Sequence, residues 1–374
     1  MRSKSRRILA IFSDVDFSPQ LIGILQKLLE RGALVRVVLI GNRELKIARE
    51  IEALDLDSRI IRQRGKIGSL LNFLFVALEI IRYQPRTLFA SGQFATIIGM
   101  SSAKLFNVSH RVFIRHHSSF HHKYKFKLGL MLDSISNRLA TTIVAVSSVV
   151  EKILVQDELV DKNKVVLIHN GVDLISFRGD QPLTKTVSPK NAANSSLFHI
   201  GVVSRLTEWK GVDYTATAFV KLQKEFPNSR LHIVGAFADS YPDILSILST
   251  VDGEKYSLEK INSNIPVFLR GLDAFVHVPV GTDDEAFGIV YIEALASGIP
   301  CIFTQSGVLN ELATPDRYAH LVPFRDSEEI YRQLKRMIEE SSDSKIAVPE
   351  PWLNQFSLGE MTNKYAVLLL RGRQ

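Results

Sequence analysis

Short apolar runs alternate with amphipathic helical patterns along the first half of the chain. RRILAIF is followed by PQLIGILQKLLERG, whose apolar residues have helical spacing and which ends at a capping glycine, Gly32. Further apolar runs follow in turn: LVRVVLI, RTLFA, HRVFIR, TIVAV and KVVLIHN. Strands separated by helices of this length predict right-handed βαβ units and therefore a parallel sheet.

The pattern breaks between Ser176 and Ser196, where Ser, Asn, Lys and Pro are frequent and apolar periodicity is lost. It resumes with LFHIGVVSR, a helix from about Val212 to Glu225, and the strands RLHIVG, AFVHVP and PCIFT. We predict an α/β chain with a first Rossmann-like domain (residues 1–178), a linker (179–196), a second Rossmann-like domain (197–350), and a C-terminal helix (351–374) returning toward the first domain. Because such sheets bind ligands at the carboxyl ends of their strands, we expect the two domains to face each other across a cleft.

Length and cysteine content agree with this organisation. A chain of 374 residues is long for one domain and sufficient for two. Cys301 is the only cysteine, so no disulfide framework can form, which fits a reducing compartment. The basic start MRSKSRR precedes an apolar stretch of one strand length, broken by Asp14 and Asp16, which favours a first strand over a signal peptide. We therefore expect a cytoplasmic protein.

Charge is distributed unevenly between the two halves. Residues 1–178 contain 27 Lys and Arg against 15 Asp and Glu, a net charge of +12, and the remainder carries −5. A basic first half suggests contact with an anionic partner: a lipid surface, a phosphorylated acceptor or nucleic acid. The segment HHKYKFK mixes basic and aromatic residues and suits acceptor or membrane-surface contact, with peripheral attachment to the inner face of a membrane as one outcome. A solvated basic face explains the charge equally well.

The strongest motif is DDEAFGIVYIEALASGIPCIFTQSGVLNEL. Glu285 lies in a loop, Phe287, Gly288 and Ile289 open a helix, and Glu293 follows two turns after Glu285. Unpaired N–H groups at a helix start form an anion site, and Gly288 allows a ligand to approach the backbone closely. Glu293 can accept hydrogen bonds from vicinal hydroxyls such as those of a ribose. An ordinary helix with an acidic first turn explains either glutamate alone, but the combined spacing favours function.

EAFGIVYIEA resembles the E-x7-E motif of the GT4 family of GT-B retaining glycosyltransferases. Other stretches resemble the same family in the same order: VLIHNGVDLISF, GVVSRLTEWKGVDYTATAFVKL, RLHIVG and DAFVHVP. The resemblance implies a GT-B fold and the transfer of a sugar, with retention, from a nucleotide diphosphate donor to a hydroxyl of a glycan or lipid-linked acceptor.

The resemblance also implies that Arg205 and Lys210 hold the donor diphosphate. A guanidinium and an ammonium neutralise the leaving phosphate as the glycosidic bond breaks. Two exposed cations on a loop are a commoner arrangement, but the following Gly211 and the surrounding motif favour function. With these cations in place, neither a metal nor any other cofactor is expected to be required.

On the donor side, the resemblance assigns the two motif glutamates separate roles. Glu285 is expected to bind sugar hydroxyls or to support the developing positive charge, and Glu293 to bind the ribose. The remaining donor-binding residues are expected to be Phe287, Gly288, Ile289 and Gly235.

RHHSSFHH contains His116, His117, His121 and His122. Family members place a histidine that contacts the transferred sugar after the corresponding strand, which points to His116, with His117 second and Gln93 also on the acceptor or sugar side. A zinc site is the rival interpretation, since imidazole is a common ligand. No carboxylate or cysteine accompanies these histidines at a usual ligand spacing, so we predict no metal site.

The chain departs from the family at three places. SDVDFSPQ replaces the Gly-Gly loop after the first strand, Ala236 and Phe237 replace a glycine turn, and Glu259 stands at a glycine position. The last two changes concern the region that would contact the base, so the donor base and sugar stay open.

Three other functional classes compete with transfer. A nicotinamide-dependent oxidoreductase needs G-x-G-x-x-G between its first strand and helix, and the sequence has none. A nucleic-acid-binding protein explains the basic half but not the donor-type motifs, so we expect no nucleic-acid partner. A catalytically inactive nucleotide-sugar-binding protein stays as the alternative, because binding and turnover use the same residues.

Overall fold

The computed structural model describes residues 6–13, 15–41, 45–62, 65–123, 126–178, 197–237, 241–262, 264–312, 315–340 and 348–371. The chain divides into two compact units, one formed by Met1–Gly171 with Leu358–Gln374 and the other by Val172–Ser357. The proposed linker, residues 179–196, lies outside the described residues, as do Asp14, Tyr124 and Lys125.

Among its described residues, the first unit contains a sheet of seven parallel strands in the order β3-β2-β1-β4-β5-β6-β7. The strands are β1 (Arg7–Ser13), β2 (Leu34–Ile40), β3 (Asp57–Ile61), β4 (Thr87–Ser91), β5 (His110–Arg115), β6 (Thr142–Ala145) and β7 (Val165–Leu167). The helices are α1 (Pro19–Glu30), α2 (Lys46–Ala53), α3 (Gly65–Tyr83), α4 (Gln93–Leu105), α5 (Phe120–Lys123), α6 (Lys127–Leu139), α7 (Ser148–Lys152) and α15 (Leu358–Arg371).

Local sequence explains where α1 begins and how the chain end joins this unit. Ser18 accepts a hydrogen bond from the Leu21 amide, and Pro19 occupies the first turn, where its missing N–H costs nothing. The C-terminal helix α15 packs against α1, with Gly23 facing the Thr362 methyl group. The last helix therefore belongs to the first unit.

The second unit repeats the same topology, with six parallel strands in the order β10-β9-β8-β11-β12-β13 in its described part. The strands are β8 (Phe198–Val203), β9 (Ser229–Val234), β10 (Tyr256–Glu259), β11 (Ala274–His277), β12 (Cys301–Phe303) and β13 (His320–Leu321). The helices are α8 (Leu174–Arg178), α9 (Val212–Glu225), α10 (Tyr241–Leu248), α11 (Ile265–Arg270), α12 (Ile289–Ser297), α13 (Ser327–Glu339) and α14 (Glu350–Asn354).

The two parallel α/β sheets predicted from the apolar pattern are confirmed. In its described part, residues 351–371, the C-terminal segment contains two helices rather than one, because α14 ends before Ser357, whose backbone pairs with Val172. Helix α8, which the sequence analysis placed in the first domain, belongs to the second unit, where Arg178 pairs with Glu350.

The strand orders create a switch point in each sheet, where the chain reverses its direction of winding: between β1 and β4, and between β8 and β11. Loops that leave the carboxyl ends of such neighbouring strands diverge and leave room for a ligand. Candidate residues of the second unit follow β8 and β11, so its topology directs them to one edge of the sheet.

Helix α3 exposes an apolar stripe to solvent. Leu70, Leu71, Leu74, Leu78 and Ile81 are each about half exposed or more. No helix among the described residues has both the length and the apolar character needed to cross a membrane.

Candidate functional site

Arg205 lies two residues after β8 and is exposed. Its guanidinium makes no hydrogen bond or ion pair with another described residue, so its charge is available to a ligand. The backbone beside it is held by Gly235, which follows β9 with φ +90°. A Cβ at that position would lie 2.5 Å from the Ser204 carbonyl oxygen, so only glycine allows the two loops to approach this closely.

Lys210 is positioned by a tight turn after β8. The turn Glu208–Lys210 ends at Gly211, which has φ +64°, and a Cβ there would collide with the carbonyl oxygen of Val278 at the end of β11. This close approach carries the Lys210 ammonium to Glu285, to whose Oε1 it donates a hydrogen bond.

Glu285 is buried, and two donors converge on one of its oxygens. His277, the last residue of β11, donates from Nε2 to Oε1 over 2.8 Å, alongside Lys210. Burial alone raises the pKa of Glu285, but Lys210 and His277 outweigh burial and lower the pKa to about 2. Glu285 is therefore ionised at neutral pH, and its Oε2 makes no hydrogen bond with the rest of the described chain.

His277 is a site residue that no motif in the sequence indicated. Its side chain is buried, burial lowers its pKa, and Glu285 only partly offsets that effect. The imidazole is thus neutral at pH 7, and its donation to Glu285 assigns the proton to Nε2. The available signal was a single polar residue ending the apolar strand AFVH.

The loop that carries Glu285 into α12 is fixed by backbone and side-chain contacts. The Glu285 amide donates to Ser306 Oγ over 3.1 Å, and Ser306 Oγ donates to the Gly281 carbonyl over 2.7 Å. A Cβ on Gly307 would lie 2.6 Å from the carbonyl oxygen of Phe287, whose ring is buried against Phe356. The carboxylate is therefore held from both its backbone and its side chain.

Helix α12 begins without a side-chain cap. Its cap residue, Gly288, has φ +78°, and a Cβ there would collide with the ring of Tyr291. Ile289 is the first residue of the helix. Because no side chain caps this end, its opening N–H groups and the positive end of the helix dipole are available to an anion.

Glu293 lies in the second turn of α12 in an environment unlike that of Glu285. It is half-buried, and its carboxylate makes no hydrogen bond to any side chain or backbone group that the structure describes. Burial raises its pKa to about 7. The helix thus carries a carboxyl group that changes charge near neutral pH and lacks a protein partner.

The departures from the family pattern have structural roles here. The Glu259 carbonyl accepts hydrogen bonds from the amides of Gly235 (2.8 Å) and Ala236 (2.9 Å), and its carboxylate accepts from Asn262. The Phe237 carbonyl accepts from the Leu206 amide over 2.9 Å. These bonds join the loop after β9 to the loop that carries Arg205.

In the first unit, the structure separates the two adjacent histidines after β5. His116 is exposed, and its Nε2 lies 3.0 Å from Ser91 Oγ at the end of β4. His117 is half-buried, and its Nε2 lies 3.0 Å from Asp133 Oδ2 on α6. Of these two histidines, His116 is the more exposed residue at the carboxyl ends of the strands.

Asp133 is the carboxylate that the sequence spacing did not indicate. Its Oδ2 also lies 2.6 Å from His121 Nδ1 and 3.2 Å from Arg115 Nη2. Burial by itself raises the pKa of Asp133, but His117 and Arg115 outweigh burial and hold the pKa below its ordinary value. No carboxylate lies at a usual ligand spacing in the sequence, and Asp133 reaches these histidines only because α6 folds back against them.

A cavity of about 60 Å³ opens beside this cluster. Its polar lining comes from Gln93, Thr96, Arg115, His116, His117, Asp133 and Ser136. Gln93 Nε2 and Arg115 Nη1 are buried donors that find no hydrogen-bond acceptor among the described residues. Gln93, His116 and His117, predicted on the acceptor or sugar side, are thus brought together.

Two family models match the chain. A family model described as group 1 glycosyl transferases matches residues 184–348, and one described as glycosyltransferase family 4 matches residues 21–175. Together they cover most of the chain.

Two curated relatives are similar to this chain at low sequence identity. Alpha-monoglucosyldiacylglycerol synthase of Acholeplasma laidlawii is 23% identical over 218 residues, 54% of this chain and 53% of the relative. The capsular polysaccharide biosynthesis glycosyltransferase CapM of Staphylococcus aureus is 23% identical over 233 residues, 59% of this chain and 58% of CapM. The chain thus spans little more than half the length of these two relatives.

Solved structures share the fold over nearly the full length of the chain. HepE of Anabaena, determined in complex with UDP and glucose, superposes with a TM-score of 0.81 over 96% of this chain and 99% of HepE, at 18% identity. A sucrose-phosphate synthase from Thermosynechococcus elongatus superposes with a TM-score of 0.70 over 98% of this chain and 95% of its own, at 17% identity. Together with the two parallel sheets, these matches establish the GT-B fold.

Proposed function

We propose that this chain, which belongs to the group 1 glycosyltransferases of family 4, transfers a sugar from a nucleotide diphosphate donor to an acceptor hydroxyl. We further propose that the transfer retains the configuration of the sugar. The observation that carries this proposal is the Lys210–Glu285–His277 cluster beside the uncapped start of α12. An ionised carboxylate, a cation and free helix N–H groups meet at the switch point between β8 and β11, where a doubly wound sheet binds its ligand.

The donor diphosphate is assigned to Arg205, Lys210 and the first N–H groups of α12. Arg205 is exposed and unpaired within the described chain, so binding a phosphate breaks no existing ion pair. Lys210 is held by Glu285 at a fixed position, so it needs little reorganisation when the leaving phosphate gains charge. These charges supply the leaving-group stabilisation, and we expect no metal to be required at the diphosphate.

Glu285 is assigned to the transferred sugar. Its Oε1 is occupied by Lys210 and His277, and its Oε2 is free to accept a hydrogen bond from a sugar hydroxyl. Because its pKa is about 2, it stays negative throughout the neutral range and favours the positive charge that develops on the sugar ring. Its role is therefore to position the sugar and to stabilise the transition state.

Retention is assigned to a front-face substitution. A double displacement needs a carboxylate beneath the anomeric carbon that acts as a nucleophile, whereas we assign Glu285 to binding the sugar and stabilising its developing charge. In the front-face route the bond from the anomeric carbon to the phosphate oxygen breaks, and a bond to the acceptor oxygen forms on the same face. The acceptor proton passes to the departing phosphate oxygen, so catalysis rests on positioning and charge stabilisation.

Glu293 is assigned to the donor ribose. Its carboxylate lacks a partner within the described chain, and two vicinal hydroxyls supply the donors that it lacks. Gly235, Phe287, Gly288 and Ile289 shape the surrounding backbone for this ligand. The donor site thus uses both glutamates of the motif, one for the sugar and one for the nucleoside.

The acceptor is assigned to the first domain, as a hydroxyl of a glycan or lipid-linked molecule. The relatives' names include a diacylglycerol glucoside synthase and a capsular polysaccharide enzyme. The basic first half and the exposed stripe on α3 support peripheral attachment to an anionic membrane surface. His116, exposed at the end of β5, is the residue we assign to the sugar on this side.

The proposal is tested by incubating the protein with a panel of nucleotide diphosphate sugars and lipid or glycan acceptors, and measuring released nucleotide diphosphate and glycosylated product. We expect turnover with one donor class and a fall in kcat of about 100-fold in Lys210→Ala, the size of effect seen when a transition-state charge partner is removed. Lys221→Ala, which removes an exposed lysine paired with Glu328, is the matched control and should leave kcat unchanged.

Measurements of binding and of turnover distinguish a transferase from the alternative, a catalytically inactive protein that binds nucleotide sugars. A rise in melting temperature with nucleotide diphosphates, without product from any donor and acceptor pair, would favour the inactive binder. An unchanged kcat in Lys210→Ala would remove Lys210 from the mechanism.

A further inference from the structure

The cluster formed by His117, His121 and Asp133 in the first unit has no role in the transfer proposed above. Its three ligand atoms, His117 Nε2, His121 Nδ1 and Asp133 Oδ2, all lie within 4.8 Å of one another. They come from three places in the chain: the loop after β5, the short helix α5, and α6. Separate elements thus direct two imidazoles and one carboxylate to a common point.

The positions of these side chains are set by packing. His121 and Asp133 are each 6% exposed, and the rings of His117 and His121 lie 4.4 Å apart. A Cβ on Gly129 would lie 2.8 Å from ring carbons of His121, so the glycine in α6 makes room for that imidazole. Rigidly held ligands of this kind are what a metal site requires.

The local charge can accept a divalent cation. Arg115 contacts both Asp133 and Glu158, and all three side chains are buried. Glu158 neutralises the guanidinium, so the carboxylate of Asp133 leaves a formal charge of −1 beside two imidazoles. A bound dication changes this formal charge to +1, and the two imidazole nitrogens and the carboxylate oxygen can coordinate it together.

Three protein ligands leave one position open in a tetrahedral site. The cavity of about 60 Å³ borders Asp133 and His117 and is large enough for an oxygen ligand such as water. Arg115 Nη1 and Gln93 Nε2 are buried there and donate to no acceptor in the described part of the chain. An oxygen atom bound at the open position would be the acceptor that these two donors lack.

We propose that His117, His121 and Asp133 bind one zinc ion, whose fourth position faces this cavity. Two imidazoles with one carboxylate match zinc better than magnesium or calcium, which prefer oxygen ligands throughout. Ligand atoms at about 2.1 Å from a tetrahedral zinc lie roughly 3.4 Å apart. The observed 3.0 Å and 2.6 Å separations from Asp133 Oδ2 therefore need to open by less than about an ångström. This site is distinct from the diphosphate site, where no metal is expected.

The test measures metal directly in the full chain, produced without a histidine tag. After chelation and dialysis, the protein is titrated with Zn²⁺ by calorimetry, and its zinc content is measured by mass spectrometry after gel filtration. We expect about one zinc per chain. We expect affinity at least about tenfold weaker in His121→Ala and in Asp133→Asn, since even supporting residues of metal sites have effects of this size. His320→Ala, a half-buried histidine of the second unit, is the control and should bind zinc as the unaltered protein does.

A second measurement keeps the test decisive if a variant folds poorly. Cobalt added to the unaltered chelated protein should give the visible absorption of a tetrahedral Co²⁺ site, and zinc should displace it. If the folded, unaltered protein does not bind stoichiometric zinc, the proposal is wrong. The cluster is then two histidines hydrogen-bonded to Asp133. Zinc bound equally by His121→Ala would overturn it as well. Because no donor or acceptor is used, neither result depends on the glycosyltransferase assignment.

Discussion

Glu285 and Glu293 lie eight residues apart on one loop and helix but differ in their electrostatic surroundings. Lys210 and His277 hold the pKa of Glu285 at about 2, whereas burial without a partner raises the pKa of Glu293 to about 7. Two carboxyl groups whose pKa values are moved in opposite directions are typical of functional sites. One stays charged, and the other gains its charge within the physiological range.

Glu293 should make the second domain less stable as pH rises. Its folded pKa lies above its ordinary value of 4.5, so between about pH 4.5 and 7 the folded state binds more protons than the unfolded state. Stability is therefore lost as pH rises through this window. Glu293→Gln, which cannot ionise, should be more stable than the unaltered protein at pH 8 by about 1–2 kcal/mol, and equal to it at pH 4.5.

Urea denaturation at pH 4.5, 6, 7 and 8 checks this expectation. Glu285→Gln serves as the contrast, because Glu285 is ionised across this whole range and its removal should lower stability at each of these pH values. If the denaturation midpoints of Glu293→Gln and of the unaltered protein differ by the same amount at all four pH values, Glu293 has an ordinary pKa.

At the scale of elements, glycines set how closely the site loops approach the strands. Gly211 lies against Val278, and Gly235 lies against Ser204, in both cases with positive φ. These contacts join the loops after β8, β9 and β11 at one edge of the sheet. The distance from Lys210 to Glu285 therefore depends on backbone packing as well as on their own charges.

Two glycine variants distinguish the stability cost of a steric collision from the cost of a left-handed backbone. Gly211 and Gly298 have nearly equal φ, +64° and +67°, but a Cβ on Gly298 has no atom within 4 Å. Gly298→Ala should cost about 1 kcal/mol from the left-handed backbone alone. Gly211→Ala should cost at least about 2 kcal/mol more, because it must push the turn away from Val278, and it should also lower kcat.

Calorimetric unfolding of both variants, with kinetics on each, provides the measurement. Gly298→Ala should keep its kcat, because Gly298 ends α12 away from the candidate cluster. Equal losses of stability in the two variants would mean that the turn at Gly211 is not held against β11.

The sequence predicted more of the second unit's site than of the first unit's. Arg205, Lys210, Glu285 and Glu293 lie in contiguous motifs after strands, and the resemblance of these motifs to the family selected them. His277 was missed because its role depends on which residue its buried ring meets. Asp133 was missed because it lies on a helix that packs against the histidines only in the folded chain. Both are tertiary contacts, which periodicity and spacing do not encode.

Across the whole chain, basic charge and exposed apolar side chains both occur in the first half, most of which forms the first unit. Residues 1–178 carry a net charge of +12, and α3 presents Leu74 and Leu78 to solvent. Basic charge draws a protein to an anionic bilayer, and exposed leucines then enter the interface. Peripheral membrane binding through this unit is therefore the expected use of the surface.

Sedimentation with vesicles measures this binding. We expect binding to phosphatidylglycerol vesicles that weakens with added salt, no binding to phosphatidylcholine vesicles, and roughly tenfold weaker binding when Leu74→Ser and Leu78→Ser are combined. Ile261→Ser, which alters an exposed residue of the second unit, is the control and should bind normally. Equal binding by the double variant would exclude α3 as the attachment surface.

The proposed function depends most on a diphosphate pocket formed by Arg205, Lys210 and the start of α12. Calorimetric titration with UDP, GDP, ADP and CDP tests this pocket directly, without a known sugar or acceptor. We predict one nucleotide diphosphate bound per chain, with affinity at least about tenfold weaker in Arg205→Ala. The Lys221→Ala control should bind as the unaltered protein does. If none of the four nucleotides binds, or if the combined Arg205→Ala and Lys210→Ala variant binds equally well, the proposed diphosphate pocket is wrong.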